Sequence, residues 1–157
     1  MAKELKTLTV LPHPILKKHL ADVPDDWFGS KEIKELADEM HEVMLEANGI
    51  GLAANQIGRD LRFFVIDKTL AEENKIPSAF ANPEITESSN DTDEMEEGCL
   101  SIPKFTGLIR RPKKVKFKGY DVDGNKIKIK ARGMLAKVLQ HETDHLNGIT
   151  IKERSEN

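Results

Sequence analysis

The 157-residue chain has a single cysteine, Cys99, so it can form no disulfide within itself. It has no large surplus of one charge either. Its 24 Lys and Arg stand against 27 Asp and Glu, and a net charge of -3 gives no overall pull toward nucleic acid or an anionic membrane. No apolar run approaches the roughly 20 residues that a membrane-spanning helix requires. The first residues, Met1-Ala2-Lys3-Glu4-Leu5-Lys6, lack the apolar centre of a signal peptide and the Arg- and Ser-rich character of a transit peptide. There is no internal repeat and no low-complexity tract. These absences predict a chain in a reducing cytoplasm, away from membranes. With 38% hydrophobic residues it is long enough to form one domain, 1–157, around its own core.

The first clear element follows Ser30, a good helix N-cap. Ile33, Leu36, Ala37, Met40, Val43, Met44 and Ala47 recur at helical spacing, and Asn48-Gly49 supplies a stop. Leu61 to Ile66 reads as a buried strand, and Ser78 to Thr86 as an extended segment interrupted by Pro83. The acidic stretch 87–97 is expected to be a surface loop or edge. Val115 and Phe117, then Ile127 and Ile129, alternate with lysines on either side of Asp123-Gly124, which predicts a hairpin with one buried and one basic face. That face is expected to be either solvated or a docking surface for RNA. A last helix is predicted from Met134 to Asn147-Gly148, followed by a short tail. Strands and helices in separate runs indicate an α+β fold.

His141-Glu142-Thr143-Asp144-His145 is an HExxH pattern on that last helix. Residues i and i+4 share one helical face, so both imidazoles can reach one metal ion. Glu142, one step round, can meet a water bound to it. Leu135, Val138 and Leu139 make the helix amphipathic and buried, where two histidines without a metal would need other hydrogen-bond partners. Zinc peptidases share HExxH but require a third protein ligand further along. Gly148 matches the extended pattern HExxHxxGxxH, yet Ile151 stands where its third histidine belongs. Only Glu153 and Glu156 remain beyond, in a tail with no predicted helix to carry them. The third ligand is therefore expected upstream, and Cys99 is the best candidate.

Three segments resemble the signature motifs of peptide deformylases, in the family's order and approximate spacing. They are Gly49-Ile50-Gly51-Leu52-Ala53-Ala54-Asn55-Gln56, Glu97-Gly98-Cys99-Leu100-Ser101 and His141-Glu142-Thr143-Asp144-His145. Val10-Leu11-Pro12-His13-Pro14-Ile15-Leu16 is similar to the family's N-terminal segment, so the resemblance covers nearly the whole chain. It implies small mixed or antiparallel strands packed around a C-terminal metal-binding HExxH helix. It implies that Cys99, His141 and His145 hold one divalent ion with water in the fourth position. That ion is usually Fe2+, with Zn2+, Ni2+ or Co2+ as substitutes. The substrates it implies are N-formylmethionyl peptides of nascent chains: the bound water attacks the formyl carbon and formate leaves. Glu142 would be general base and acid, while the Gln56 amide and the Leu100 backbone N–H would stabilise the oxyanion. Gly49, Gly51 and Gly98 would let the backbone lie close to a substrate strand, and Ile50, Met134 and Val138 would form the methionine pocket. Ile50 and Val138 read equally well as plain core.

Two positions depart from the family pattern. Thr106 stands where many members carry an Arg or Tyr that contacts substrate, and Lys137 stands where an apolar residue is common. The tail also lacks the long C-terminal helix of many relatives. Arg111 matches a family arginine and is expected to pair with Glu97, and Asp144 to brace the helix or a ligand. His13, His19 and His41 are given no role. The expected protein is a monomer, with transient ribosome contact through the basic hairpin. A small HExxH metallopeptidase is the alternative enzyme, and an inactive relative that binds nascent chains or ribosomal RNA is the non-enzymatic one.

Overall fold

Ser30 starts the first long helix, α1 (Lys31–Glu46), its hydroxyl accepting the Ile33 N–H at 3.3 Å. Asn48 then takes the left-handed conformation, with φ 58°, and the Gly49 N–H closes back on the Met44 carbonyl. The computed structural model describes residues 8–155. The reading of Met1 to Lys6, and Glu156 as a late ligand, therefore lie outside the described residues. In chain order the remaining elements are β1 (Gly51–Ala53), β2 (Phe63–Ile66), α2 (Lys68–Glu73), β3 (Ala79–Ser88), β4 (Thr92–Cys99), β5 (Ile102–Pro112), β6 (Lys114–Tyr120), β7 (Lys126–Arg132), α3 (Gly133–Leu146) and α4 (Ile151–Ser155).

Strands β1, β2, β3, β6 and β7 form one antiparallel sheet in that spatial order, and β4 pairs with β5 in a second, two-stranded sheet. The apolar run of β2 has a simple cause: the strand is covered on both faces. Phe63 and Val65 pack with Met40 and Met44 of α1, while Phe64 and Ile66 pack with Leu135, Val138 and Leu139 of α3. The rings of Phe64, Phe80 and Phe117 lie 5.3 to 6.1 Å apart on the α3 side. Each such ring stabilises the fold by about 1.5–3 kcal/mol through burial.

Pro83 interrupts β3 as its missing N–H requires. The β3–β6 register shifts between Ala81 and Glu84, and Asn82 turns left-handed, its side chain bonding the Val23 backbone instead. The predicted hairpin is β6–β7, with Val115 opposite Ala131 and Phe117 opposite Ile129. One expectation is refined and one corrected. The stretch 87–97 is a surface edge as expected, Thr92–Cys99 forming one strand of the two-stranded sheet, but Glu97 in it is buried. Most of β4 faces solvent, so it carries no apolar alternation for the sequence to show. The tail does form a helix, α4, which packs on β5 where Gly107 leaves room: a Cβ there would lie 2.8 Å from Ser155 Cβ. Glu153 on α4 accepts the Thr150 N–H at 2.8 Å. Among the described residues, no helix is long and apolar enough to cross a membrane.

Candidate active site

Helix α3 carries His141 and His145 one turn apart toward the end of β4, their ring centroids 5.0 Å apart. The β4–β5 register shifts between Gly98 and Cys99, a bulge that turns the cysteine toward the helix. Cys99 Sγ lies 3.3 Å from His145 Nε2, and the donor atoms of Cys99, His141 and His145 all fall within 4.8 Å of one another. Ligands around a tetrahedral ion, bound at about 2.0–2.3 Å, sit roughly 3.3–3.7 Å apart, so this set fits a metal. His145 Nδ1 is buried and has no hydrogen-bond partner among the described residues.

A buried polar network holds the helix side of the site. Glu97 accepts from His141 Nδ1 at 3.1 Å and from Arg111 at 2.8 and 3.1 Å. Arg111 also donates to Asp144 at 2.9 Å, and Asp144 receives two further bonds from Arg154 of α4. The expected Arg111–Glu97 pair is thus present, and the role foreseen for Asp144 takes the form of an anchor for two arginines. Asn55 donates to the His145 carbonyl at 2.9 Å and ties the first motif to the helix.

The ionisable groups are strongly biased. Burial would raise Glu97, yet hydrogen bonds from His141 and Arg111 outweigh it and hold the carboxyl at about 2. Burial raises Glu142 to about 7 against the pull of His141 and Arg111. Burial would lower His141, but its hydrogen bond with Cys99, the charge of Glu142 and a hydrogen bond with Glu97 lift it to about 10. His145 is pushed well down by burial and then by the positive His141 and Arg111. A metal ion needs one unprotonated nitrogen on each ring, and on His141 that is Nε2, since Nδ1 donates to Glu97.

Gln56 sits on the 3-10 turn Ala54–Ile57 with its amide orientation fixed. Its Oε1 accepts the Ala53 N–H at 2.9 Å, so Nε2 faces the site, 3.0 Å from Ser101 Oγ and 3.7 Å from Cys99 Sγ. Glu142 is buried, with Oε2 4.0 Å from His141 Nε2 and Oε1 without a hydrogen-bond partner among the described residues. Gly51 makes room for it: a Cβ at that position would lie 2.6 Å from Glu142 Oε2.

These groups face a cleft of about 590 Å³. It is lined by Gly49, Ile50, Gly51, Gln56, Gly98, Cys99, Leu100, Met134, Val138, His141 and Glu142, so of the metal, catalytic and substrate residues expected from the sequence all but His145 line it. Ile50 and Met134 are 44% and 45% exposed at its mouth, whereas Val138 is buried and serves the core as well. Thr106 does not reach for the cleft alone; its hydroxyl donates to Glu96 at 2.8 Å. Sequence reasoning missed the hold of Glu97 on His141, and the parts played by Asn55, Ser101 and Arg154. The first had a signal, because Glu97 and Cys99 are two apart on one strand, the spacing that places side chains on one face. The others carried none.

The chain matches the family described as Polypeptide deformylase over residues 5–157. It is 43% identical over 150 residues to the peptide deformylase of Mesorhizobium japonicum, a match covering 92% of this chain and 81% of that protein. The crystal structure of peptide deformylase from Thermotoga maritima is 36% identical, with a TM-score of 0.87 and coverage of 97% of this chain and 98% of that one. The Met-Ala-Ser-bound class I type b peptide deformylase from Acinetobacter baumannii is 34% identical, with a TM-score of 0.87 over 98% of this chain and 99% of that one. Sequence matched over nearly its whole length, in a fold shared with these enzymes, makes this chain a member of the polypeptide deformylase family.

Proposed function

We propose that this chain is a metal-dependent hydrolase that removes the formyl group from the N-terminal formylmethionine of nascent proteins and releases formate. The observation that carries this reading is the set of Cys99, His141 and His145 donors within 4.8 Å, beside a buried Glu142 and at the base of an open cleft. Cys99, His141 and His145 would hold one divalent ion, which we assign as Fe2+ with Zn2+, Ni2+ or Co2+ as substitutes, and it would supply Lewis acidity toward a water in the site. Glu142, raised to about 7, takes a proton from that water as it attacks the formyl carbon, then passes it to the departing amine as the C–N bond breaks. Gln56 Nε2 and the Leu100 N–H donate to the oxygen that gains charge, and Ser101 steadies the Gln56 amide. Glu97 fixes the ring of His141 through Nδ1. The substrate lies extended between Gly49–Gly51 and Gly98, with its methionine side chain against Ile50, Met134 and Val138.

The reading includes one catalytic domain over 1–157, a monomer working in the cytoplasm, and transient ribosome contact through the β6–β7 hairpin. Two of the hairpin lysines are engaged within the sheet, Lys116 with Glu87 at 2.8 Å and Lys118 with Glu84 at 3.3 Å. Ribosome contact therefore rests on Lys126, Lys128 and Lys130 of the edge strand β7. It should weaken steeply with salt and on changing these three to Gln.

The decisive experiment supplies formyl-Met-Ala-Ser to the iron-loaded protein and measures formate, with metal content measured in the wild type and in Cys99→Ser. Formate release with metal lost from Cys99→Ser is the expected result. Cleavage of an internal bond would make the chain a peptidase, and no reaction would make it a binder. Full metal occupancy in Cys99→Ser would move the third ligand elsewhere.

A further inference from the structure

Lys137 lies one turn before His141 on α3, on the face that carries the metal-site histidines. It lines the reaction cleft and also an adjoining cavity of about 370 Å³, so it stands in the partition between them. Its ammonium meets Met95 Sδ at 3.7 Å, and among the described residues no carboxylate lies within ion-pair distance of it. A thioether is a weak acceptor and an ammonium has three donors, so this contact leaves Lys137 with hydrogen-bonding capacity to spare. Met95 and Met134 on either side are 44% and 45% exposed, unbranched side chains able to shift around a guest. The wall beside the proposed methionine pocket thus carries a cation held only by a weak thioether contact, among movable apolar groups.

We infer that Lys137 is a specificity-determining residue that lets the enzyme act on N-formyl peptides whose first side chain ends in a strong hydrogen-bond acceptor, methionine sulfoxide foremost. This rests on the reading of the cleft as the formylmethionine site. A sulfoxide keeps the length of the methionine side chain and adds one polar oxygen. A wholly apolar wall would leave that oxygen buried without a donor, a loss that discriminates by roughly 5- to 150-fold. Lys137 supplies the donor, and its flexible stem lets the ammonium reach it.

The test compares kcat/KM for formyl-Met-Ala-Ser and for the same peptide with methionine sulfoxide, in the wild type, Lys137→Met and Lys137→Arg. The wild type should treat the two peptides within about 5-fold of each other. Lys137→Met should widen that ratio at least 10-fold, and Lys137→Arg, which keeps donors at the position, should restore it. Calorimetric binding of Met-Ala-Ser and its sulfoxide reads the same preference without turnover, and should lose the sulfoxide form selectively in Lys137→Met. Equal ratios in wild type and Lys137→Met, with formate still released from formyl-Met-Ala-Ser, would overturn this inference alone. Absence of formate from both peptides would overturn the functional reading and this inference with it.

Discussion

On the helix side of the cleft, polar groups are bonded to one another in a largely buried chain, His141 to Glu97, Glu97 to Arg111 and Arg111 to Asp144, closed by the exposed Arg154. At the mouth, Ile50 and Met134 are each about half exposed, and the nearby Lys137 turns its ammonium to the thioether of Met95 in the adjoining cavity. The first arrangement fixes atoms, because each buried charge has a partner that would be costly to leave unpaired. The second leaves side chains free to adapt to whatever peptide arrives. Chemistry is fixed where it needs one geometry, and recognition stays soft where many sequences must pass.

That contrast can be tested by changing each side in turn. The largest effect should come from Glu142→Gln, which keeps shape and metal but removes the proton carrier. Turnover should fall by about 100- to 10,000-fold with metal content unchanged, read by formate release beside elemental analysis. Gln56→Leu should lower kcat by about 100- to 1,000-fold with little change in KM, the pattern of a contact made in the transition state. A pure KM effect would move Gln56 to the recognition side.

Arg111→Met removes one partner of the buried network and should weaken metal binding by about 10- to 100-fold, measured by chelator competition. The same network gives a pH signature. Glu97 sits at about 2 in the folded chain against an ordinary 4.5, so the unfolded state binds more protons in acid. Its contribution is present above about pH 4.5 and is lost as pH falls toward 2, a change on the order of 3 kcal/mol. Denaturant unfolding of the metal-free protein between pH 5 and 2.5 should show this slope, and Glu97→Gln should flatten it. The smallest effect is expected at the mouth: Met134→Ala should raise KM a few-fold and leave kcat nearly unchanged. A large loss of kcat there would erase the contrast between the two walls.

Much of the framework was legible in the sequence. Ser30 and Asn48-Gly49 bracket α1, the doubly covered β2 reads as an unbroken apolar run, and the β6–β7 hairpin shows in its alternation. The β4–β5 sheet was obscured because it lies outside the main core and exposes most of its side chains. Lys116 and Lys118 looked like free basic charge because their acidic partners come from β3, far away in the chain. The pairing of Glu97 with Arg111 was legible, but its place at the end of an acidic surface stretch hid its burial against His141 as well.

By itself, then, the sequence determined the local chemistry: two histidines one helical turn apart, a glutamate beside them, a lone cysteine, and the helix and strands that periodicity dictates. Only the tertiary structure decided that Cys99, 46 residues before His145, reaches it at 3.3 Å, that Gln56 turns its amide inward from Ala53, and that Glu97 holds His141. The physical reason is range. Periodicity is set by neighbours within a turn or a pleat, whereas these contacts arise only when α3 packs between the main sheet and β4–β5 and the buried charges there must find partners.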